Sequence, residues 1–298
     1  MALGLRVVRP DRMKSSSIAA CVLALVGLAL LYGGVVAGLV NAWRTNDDYS
    51  HGFLVAPLCA YFVWERRHAL ARIEPHPAGA GLALVFFSLL ILVVGVLGAE
   101  LFLARISLIG VLAGSAWFVL GRRHLRLLAF PLAFALLMIP LPAIVFNQLA
   151  FPLQLAASRA AELCLSALRI PALRDGNVIY LSTITLEVAE ACSGIRSLVS
   201  LITLGVVFGY FTETTRSRRV LLVVATIPIA IVANALRVAG TGVLAHLAGP
   251  GAAEGFFHSF AGWLVFMAAA VMLVLLQRLS WWGRSHGQPA PAAAELAL

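Results

Sequence analysis

Ala78-Gly-Ala-Gly-Leu-Ala-Leu-Val-Phe-Phe-Ser-Leu-Leu-Ile-Leu-Val-Val-Gly-Val-Leu-Gly-Ala99 contains no charged side chain. As one helix it would rise about 33 Å, enough to cross a hydrocarbon core of about 30 Å. In lipid a spanning segment must satisfy its own backbone hydrogen bonds, so this run reads as a transmembrane helix. Similar runs fill the chain, which is 61% hydrophobic and 12% charged. A soluble domain is typically about 25% charged. The fold class is therefore an all-α polytopic membrane protein.

Working outward from that run, apolar stretches recur at about Ile18–Val40, His51–Trp64, Ile106–Leu120, Leu127–Phe146, Ile195–Phe211, Val220–Ala239 and Phe256–Leu276. Together they make about eight expected spans. Pro131, Pro140 and Pro142 predict a kinked or broken fifth span. The net charge of +9 could suggest nucleic acid. Its distribution argues against that, because the arginines sit in short clusters between apolar runs. With the N-terminus inside, fifteen basic residues fall in inner segments and five in outer ones, with Arg196 and Arg237 in or beside spans. By the positive-inside rule both termini are cytoplasmic. The expected divisions are a cytoplasmic segment 1–17, one integral membrane domain 18–279 and a disordered cytoplasmic tail 280–298. The N-terminal apolar run is too long for a cleaved signal peptide and reads as a retained anchor.

The longest stretch between spans, about 147–191, is expected outside. Gln154, Ser158, Glu162 and Ser166 recur every four residues, which predicts an amphipathic helix lying in the interface or capping the bundle. Pro171 stops it, and Asp175-Gly-Asn177 reads as a turn. Val178–Leu181 and Ile184–Val188 predict a small β-hairpin leading into Cys192.

Chemistry-bearing residues collect on that outer side. Cys192 lies in Glu190-Ala-Cys-Ser-Gly-Ile-Arg196. If a helix begins at Ser193, Arg196 sits one turn above the sulfur, and helix terminus and guanidinium together favour thiolate. Arg237 falls at the outer end of the seventh span and His258 at the outer mouth of the eighth. Ionisable groups in membrane spans are functional candidates by default. A Cys/His pair supplies a nucleophile and a general base that later acts as acid, and a guanidinium stabilises an oxyanion. This composition predicts acyl transfer through a thioester on Cys192, with no metal or other cofactor. Each residue has a plainer role available. Cys192 could be a packing residue or pair with Cys164, Arg237 could snorkel to headgroups, and His258 could be a structural hydrogen-bonder. His51 is a rival base, His246 reads as a loop residue, and Asn234 could orient Arg237 or join two helices. Glu187 and Glu190 could touch substrate or solvate a loop, and the inner arginine clusters read as topology signals.

The ordered set Glu190-Ala-Cys-Ser-Gly-Ile-Arg196, Asn234-Ala-Leu-Arg237 and His258 with Gly262 resembles the exosortase/archaeosortase family. Asp48-Tyr-Ser-His-Gly52, Tyr61 and Trp64-Glu-Arg-Arg67 also resemble that family's N-terminal region. The resemblance covers roughly Tyr49 to Leu276. It implies a membrane cysteine protease or transpeptidase of the bacterial inner membrane, with Cys192, Arg237 and His258 catalytic and the active site facing the periplasm. Arg196, Asn234, Glu190 and His51 would be supporting or substrate-binding residues. The implied partners are exported proteins whose C-terminal tails carry a short motif, often Pro-Glu-Pro, then an apolar helix and basic residues (PEP-CTERM). Such substrates often accompany exopolysaccharide production. The competing reading is a non-enzymatic polytopic transporter or envelope-polysaccharide assembly factor. Clear inverted repeats or mid-bilayer charges would favour it, and the sequence displays neither.

Overall fold

The computed structural model describes residues 15–182, 184–188, 195–249, 251 and 256–282. Ten α-helices appear among them, in the order α1 Ser15–Thr45, α2 Gly52–Glu65, α3 Arg67–Arg72, α4 Gly79–Leu97, α5 Leu101–Leu120, α6 Arg122–Phe134, α7 Ala143–Ala167, α8 Ile195–Thr212, α9 Arg216–Ala248 and α10 Phe256–Trp282. Three short strands, β1 Ala172–Asp175, β2 Val178–Leu181 and β3 Thr185–Glu187, lie between α7 and α8.

Four of the described helices are long and apolar enough to cross a membrane, or five if the bent pair α6–α7 counts as one span. That is fewer than the eight expected. One of the eight, α2, has 14 residues, about 21 Å of helix against a ~30 Å core. Within α8 (18 residues) and α10 (27 residues), Leu198–Thr212 and Phe266–Leu279 are the apolar stretches among the described residues.

One end of the bundle is rich in arginine, and there the helices are tied side chain to side chain. The Tyr210 hydroxyl on α8 donates to Glu65 Oε2 on α2 at 2.7 Å, and Arg66 Nη2 donates to the same hydroxyl at 3.4 Å. Arg66 also caps the Leu127 carbonyl on α6 and lies over the Phe130 and Tyr210 rings. Arg219 Nε on α9 donates to the Glu213 carbonyl at 2.7 Å. The buried Glu213 carboxylate accepts from Gln277 on α10 at 3.3 Å. These arginines are therefore structural ties as well as charge. Under them Phe62, Val55 and Phe134 form an apolar core with Val206 and Val207.

At the other end the fifth expected span breaks. Pro140 and Pro142 cannot donate, and the residue before a proline is pushed out of the helical region. Ile139 is accordingly extended (φ −91°, ψ 121°), and α6 and α7 meet at an 81° bend. The break leaves carbonyls without intrahelical partners. Two side chains from the N-terminal third supply donors: Trp43 Nε1 to the Met138 carbonyl and His51 Nε2 to the Leu137 carbonyl, each at 2.9 Å. Gly52 lies flat on the Trp43 ring, where any added Cβ would strike Nε1.

Beyond the break, α7 runs along α9 and carries the sheet. Gln154 and Ser158 of the polar stripe are buried instead of facing water or headgroups. Ser158 Oγ donates to the Gly176 carbonyl at 3.0 Å, and Glu162 pairs with Arg174 at 3.2 Å. The stripe docks the turn Asp175-Gly176-Asn177, where Gly176 takes φ +60°. The expected hairpin is a three-stranded antiparallel sheet, β1-β2-β3, with β1 as the added strand. Ala161, Leu165, Ile179, Val188, Val238 and Ala239 pack as one cluster that bonds α7, the sheet and α9. The ninth helix continues past the expected end at Ala239, because Gly242 leaves room for Leu165 and Leu186. His246 is in its last turn, not a loop.

Replacing Trp43 with phenylalanine keeps the ring but strands the Met138 carbonyl. The expected loss is about 1–3 kcal/mol of stability, read as a lower thermal midpoint in detergent. An unchanged midpoint would show that the bend does not depend on this bond.

Candidate active site

The ties at the arginine-rich end set the register of the helices, and the register decides what meets at the other end. Tyr210 on α8 is bonded to both Glu65 and Arg66 on α2. From Arg66 back to His51 and from Tyr210 back to Ile195 is the same 15 residues, about 22 Å of helix. The start of α2 is thus level with the start of α8. In the antiparallel pair α8–α9, Gly209 lies against Arg219 and Gly205 against Leu222, Val223 and Thr226. Continuing that register brings Ile195 level with the stretch around Ala233–Leu236. Gln277 is bonded to Glu213, and from Gln277 to Phe256 is 21 residues, as from Glu213 to Asn234. The first turn of α10 therefore reaches the level of Asn234 within about a helical turn of 5.4 Å. Four helices distant in sequence arrive together.

Asn234 is buried, and its Nδ2 has no hydrogen-bond partner among the described residues. The His51 Nδ1 atom, level with Ile195, is likewise buried and unpaired among them. A buried polar atom left unpaired costs about 1–3 kcal/mol, so two at one level need a reason. The Leu137 carbonyl can only accept, so His51 Nε2 donates to it.

Arg237 is half-buried, one turn beyond Asn234, and its carbonyl accepts from Thr241 Oγ1 at 3.0 Å. Arg196 is the second residue of α8 and His258 the third of α10. The side chains of Arg196 and His258, with Glu190 and Cys192, lie outside the described residues. What is described is how the chain approaches them. It arrives at Val188, buried in the cluster with Val238 and Ala239 beside Arg237, and resumes at Ile195. Glu187 is the exposed last residue of β3. Cys164 carries a free thiol.

Two further residues belong to this end. The short 3-10 turn Asp47–Tyr49 packs against α8. Burial, with Asp48 beside it, raises the Tyr49 hydroxyl above its ordinary pKa, against the opposing pull of the Leu141 backbone and Arg105. Arg105, assigned to an outer segment by hydropathy, is buried within α5 and donates to the Gly38 carbonyl at 3.3 Å. A charge inside an apolar helix is the signal that could have singled it out.

Two open cavities flank the region. One of about 610 Å³ between α7 and α9 is almost wholly apolar, lined by Cys164, Leu168, Leu236, Gly240, Val243 and Leu247 among others. The other, about 600 Å³, runs along Ser166, Arg169, Tyr180 and Ser182 beside the sheet. Among the described residues, neither lining brings together the acid, base and nucleophile that covalent catalysis requires.

No curated protein and no solved structure matches the chain. The family model described as transmembrane exosortase matches residues 43–275. That interval begins at Trp43, which braces the bend, and runs into α10, so it takes in every element that reaches the level of Asn234. The chain is a membrane protein and belongs to the transmembrane exosortase family.

Proposed function

We propose that the protein is a membrane cysteine protease or transpeptidase that cleaves the C-terminal sorting tails of exported proteins. Cys192 is the nucleophile, Arg237 the oxyanion partner and His258 the general base and acid. The observation that carries this reading is the common level of the starts of α2, α8 and α10 with Asn234 on α9. Chain connectivity supports it: four peptide units separate Val188 from Cys192 and span at most about 14 Å. That reach is measured from Val188, which packs against Val238, the residue after Arg237.

In the first step the Cys192 thiolate attacks the scissile carbonyl carbon and an S–C bond forms. The electron pair displaced onto oxygen is stabilised by the Arg237 guanidinium. The protonated imidazole of His258 gives its proton to the departing amine as the C–N bond breaks, leaving a thioester. Water or an acceptor amine then attacks the thioester carbon, His258 takes that nucleophile's proton, and the C–S bond breaks to expel the Cys192 thiolate, restoring the starting thiolate and imidazolium. Asn234 orients Arg237 or the substrate with its Nδ2, which has no partner among the described residues, and His51 offers a second ring nitrogen. Arg196 or Arg237 pairs with the glutamate of a Pro-Glu-Pro motif, and Glu190 lines the approach.

The membrane arrangement that suits this chemistry has eight crossings, both termini in the cytoplasm of a bacterium and the site on the periplasmic side of the inner membrane. In that arrangement α8 and α10 cross, and the 14-residue α2 crosses where its flanking residues snorkel and the bilayer thins. A tail-anchored substrate presents its motif at that depth. No cofactor takes part.

Cys192→Ser is expected to abolish processing of an exported reporter bearing a Pro-Glu-Pro tail while the protein accumulates normally. Continued processing would overturn the reading. Asn234→Leu removes a buried amide that has no described partner. Stability should stay level or rise by about 1 kcal/mol, while reporter processing falls. A drop in thermal midpoint with normal processing would make Asn234 a structural residue.

A further inference from the structure

β1 and β3 are the two edges of the sheet, and the hydrogen bonds say which backbone groups of β3 face outward. Val188 N–H donates to the Asn177 carbonyl at 2.8 Å, and Leu181 N–H to the Ile184 carbonyl at 2.9 Å. In an antiparallel ladder, residues alternate between bonding the neighbour and turning away from it. Ile184, Leu186 and Val188 therefore direct their N–H and C=O groups toward β2. Thr185 and Glu187 direct theirs to the opposite side. With strand order β1-β2-β3, no described strand occupies that side. Both residues are exposed, and no described group bonds to their backbone.

This edge is held firmly. Leu186 is seated over Gly242 of α9, and Val188 is buried against Val238 and Ala239. β1 and β2 pack over α7, so the sheet crosses from α7 toward α9 and ends in the open strand. From Glu187 the chain runs directly into the segment bearing Cys192.

We propose that Thr185 and Glu187 form a docking rail for the substrate, whose extended peptide segment beside the scissile bond joins the sheet as a fourth strand. The proposal rests on the enzymatic reading above and specifies how that site takes its substrate. Main-chain pairing of this kind needs no particular side chains at the paired positions, and alternate side chains remain free for selection. The occupant is an extended peptide because the open groups are two N–H donors and two C=O acceptors at strand spacing. It is the reacting segment because the rail is continuous with the nucleophile's own chain. The anchored Leu186 and Val188 fix its height against α9, one turn from Arg237.

The test uses the full-length protein in membranes with an exported reporter ending in a Pro-Glu-Pro tail. Thr185→Pro and Glu187→Pro each delete one outward N–H without removing a β2–β3 bond, as proline permits on an edge strand. Ala172→Pro makes the same change on the opposite edge. Both rail variants should lower processing about tenfold or more at limiting reporter, the scale of one or two lost backbone bonds. Ala172→Pro should not. Because a proline variant can fail to accumulate, a second arm works in Cys192→Ala protein. Thr185→Cys should form a disulfide with a cysteine placed beside the reporter's motif, whereas Ala172→Cys should not. Normal processing by both rail variants, no cross-link from Thr185→Cys, or cross-linking only to a second copy of the chain would each overturn the docking mode. If Cys192→Ala protein itself still processes the reporter, the enzymatic reading fails instead.

Discussion

Tyr210 hydrogen-bonded to Glu65 and Arg66 is the contact on which the rest of the arrangement depends. It locks α2 to α8 near their shared end, as Gln277 and Glu213 lock α10 to the α8–α9 turn. Helices are rigid rulers at about 1.5 Å per residue. Fixing them at one end therefore fixes which residues are level at the other. Surface ion pairs contribute little, with a median near 0–1 kcal/mol. These groups are half-buried or buried among Phe62, Phe130 and Tyr210, where an unmade bond is costly. Their value is registry more than net stability.

At the opposite end the fold uses irregular backbone in a controlled way. The proline break bends the chain at 81°, and Trp43 and His51 satisfy the carbonyls that the break exposes. The N-terminal third is thereby bound to the exact turn that sends α7 across α9. α7 in turn positions the sheet through Ser158 and the Glu162–Arg174 pair. The sheet delivers the chain to Val188, beside Arg237. Each step uses a polar contact to place an apolar one. The result is a short strand set against α9 where the chain runs on toward Cys192.

Much of this was legible in the sequence. Uncharged runs located the long helices, the prolines located the break, and Asp175-Gly176-Asn177 located a turn. Other features were not legible, for physical reasons. Ala172–Asp175 has little β-preference of its own and becomes a strand because β2 pairs with it. Periodicity gave α7 a polar face but could not say that the sheet would cover it. Hydropathy marked His51–Trp64 as a short apolar run, and the helix there has 14 residues. Gly240 and Gly242 weaken helix propensity, so the extension of α9 was hidden; tertiary packing supplies it. The use of His51 as a brace on the Leu137 carbonyl joins segments 86 positions apart, beyond any local pattern.

The central claim is that Cys192, Arg237 and His258 meet at one rim of the bundle. It is tested most directly by oxidative closure of cysteine pairs in protein lacking Cys21, Cys59 and Cys164. With Cys192 retained, His258→Cys and Arg237→Cys should each close an intramolecular disulfide under mild oxidation, which needs Cα atoms within about 7 Å. In the reduced protein an impermeant thiol reagent should reach both members of each pair from the same side of the membrane. If neither pair closes and the reagent reaches the two members from opposite sides, the account is contradicted.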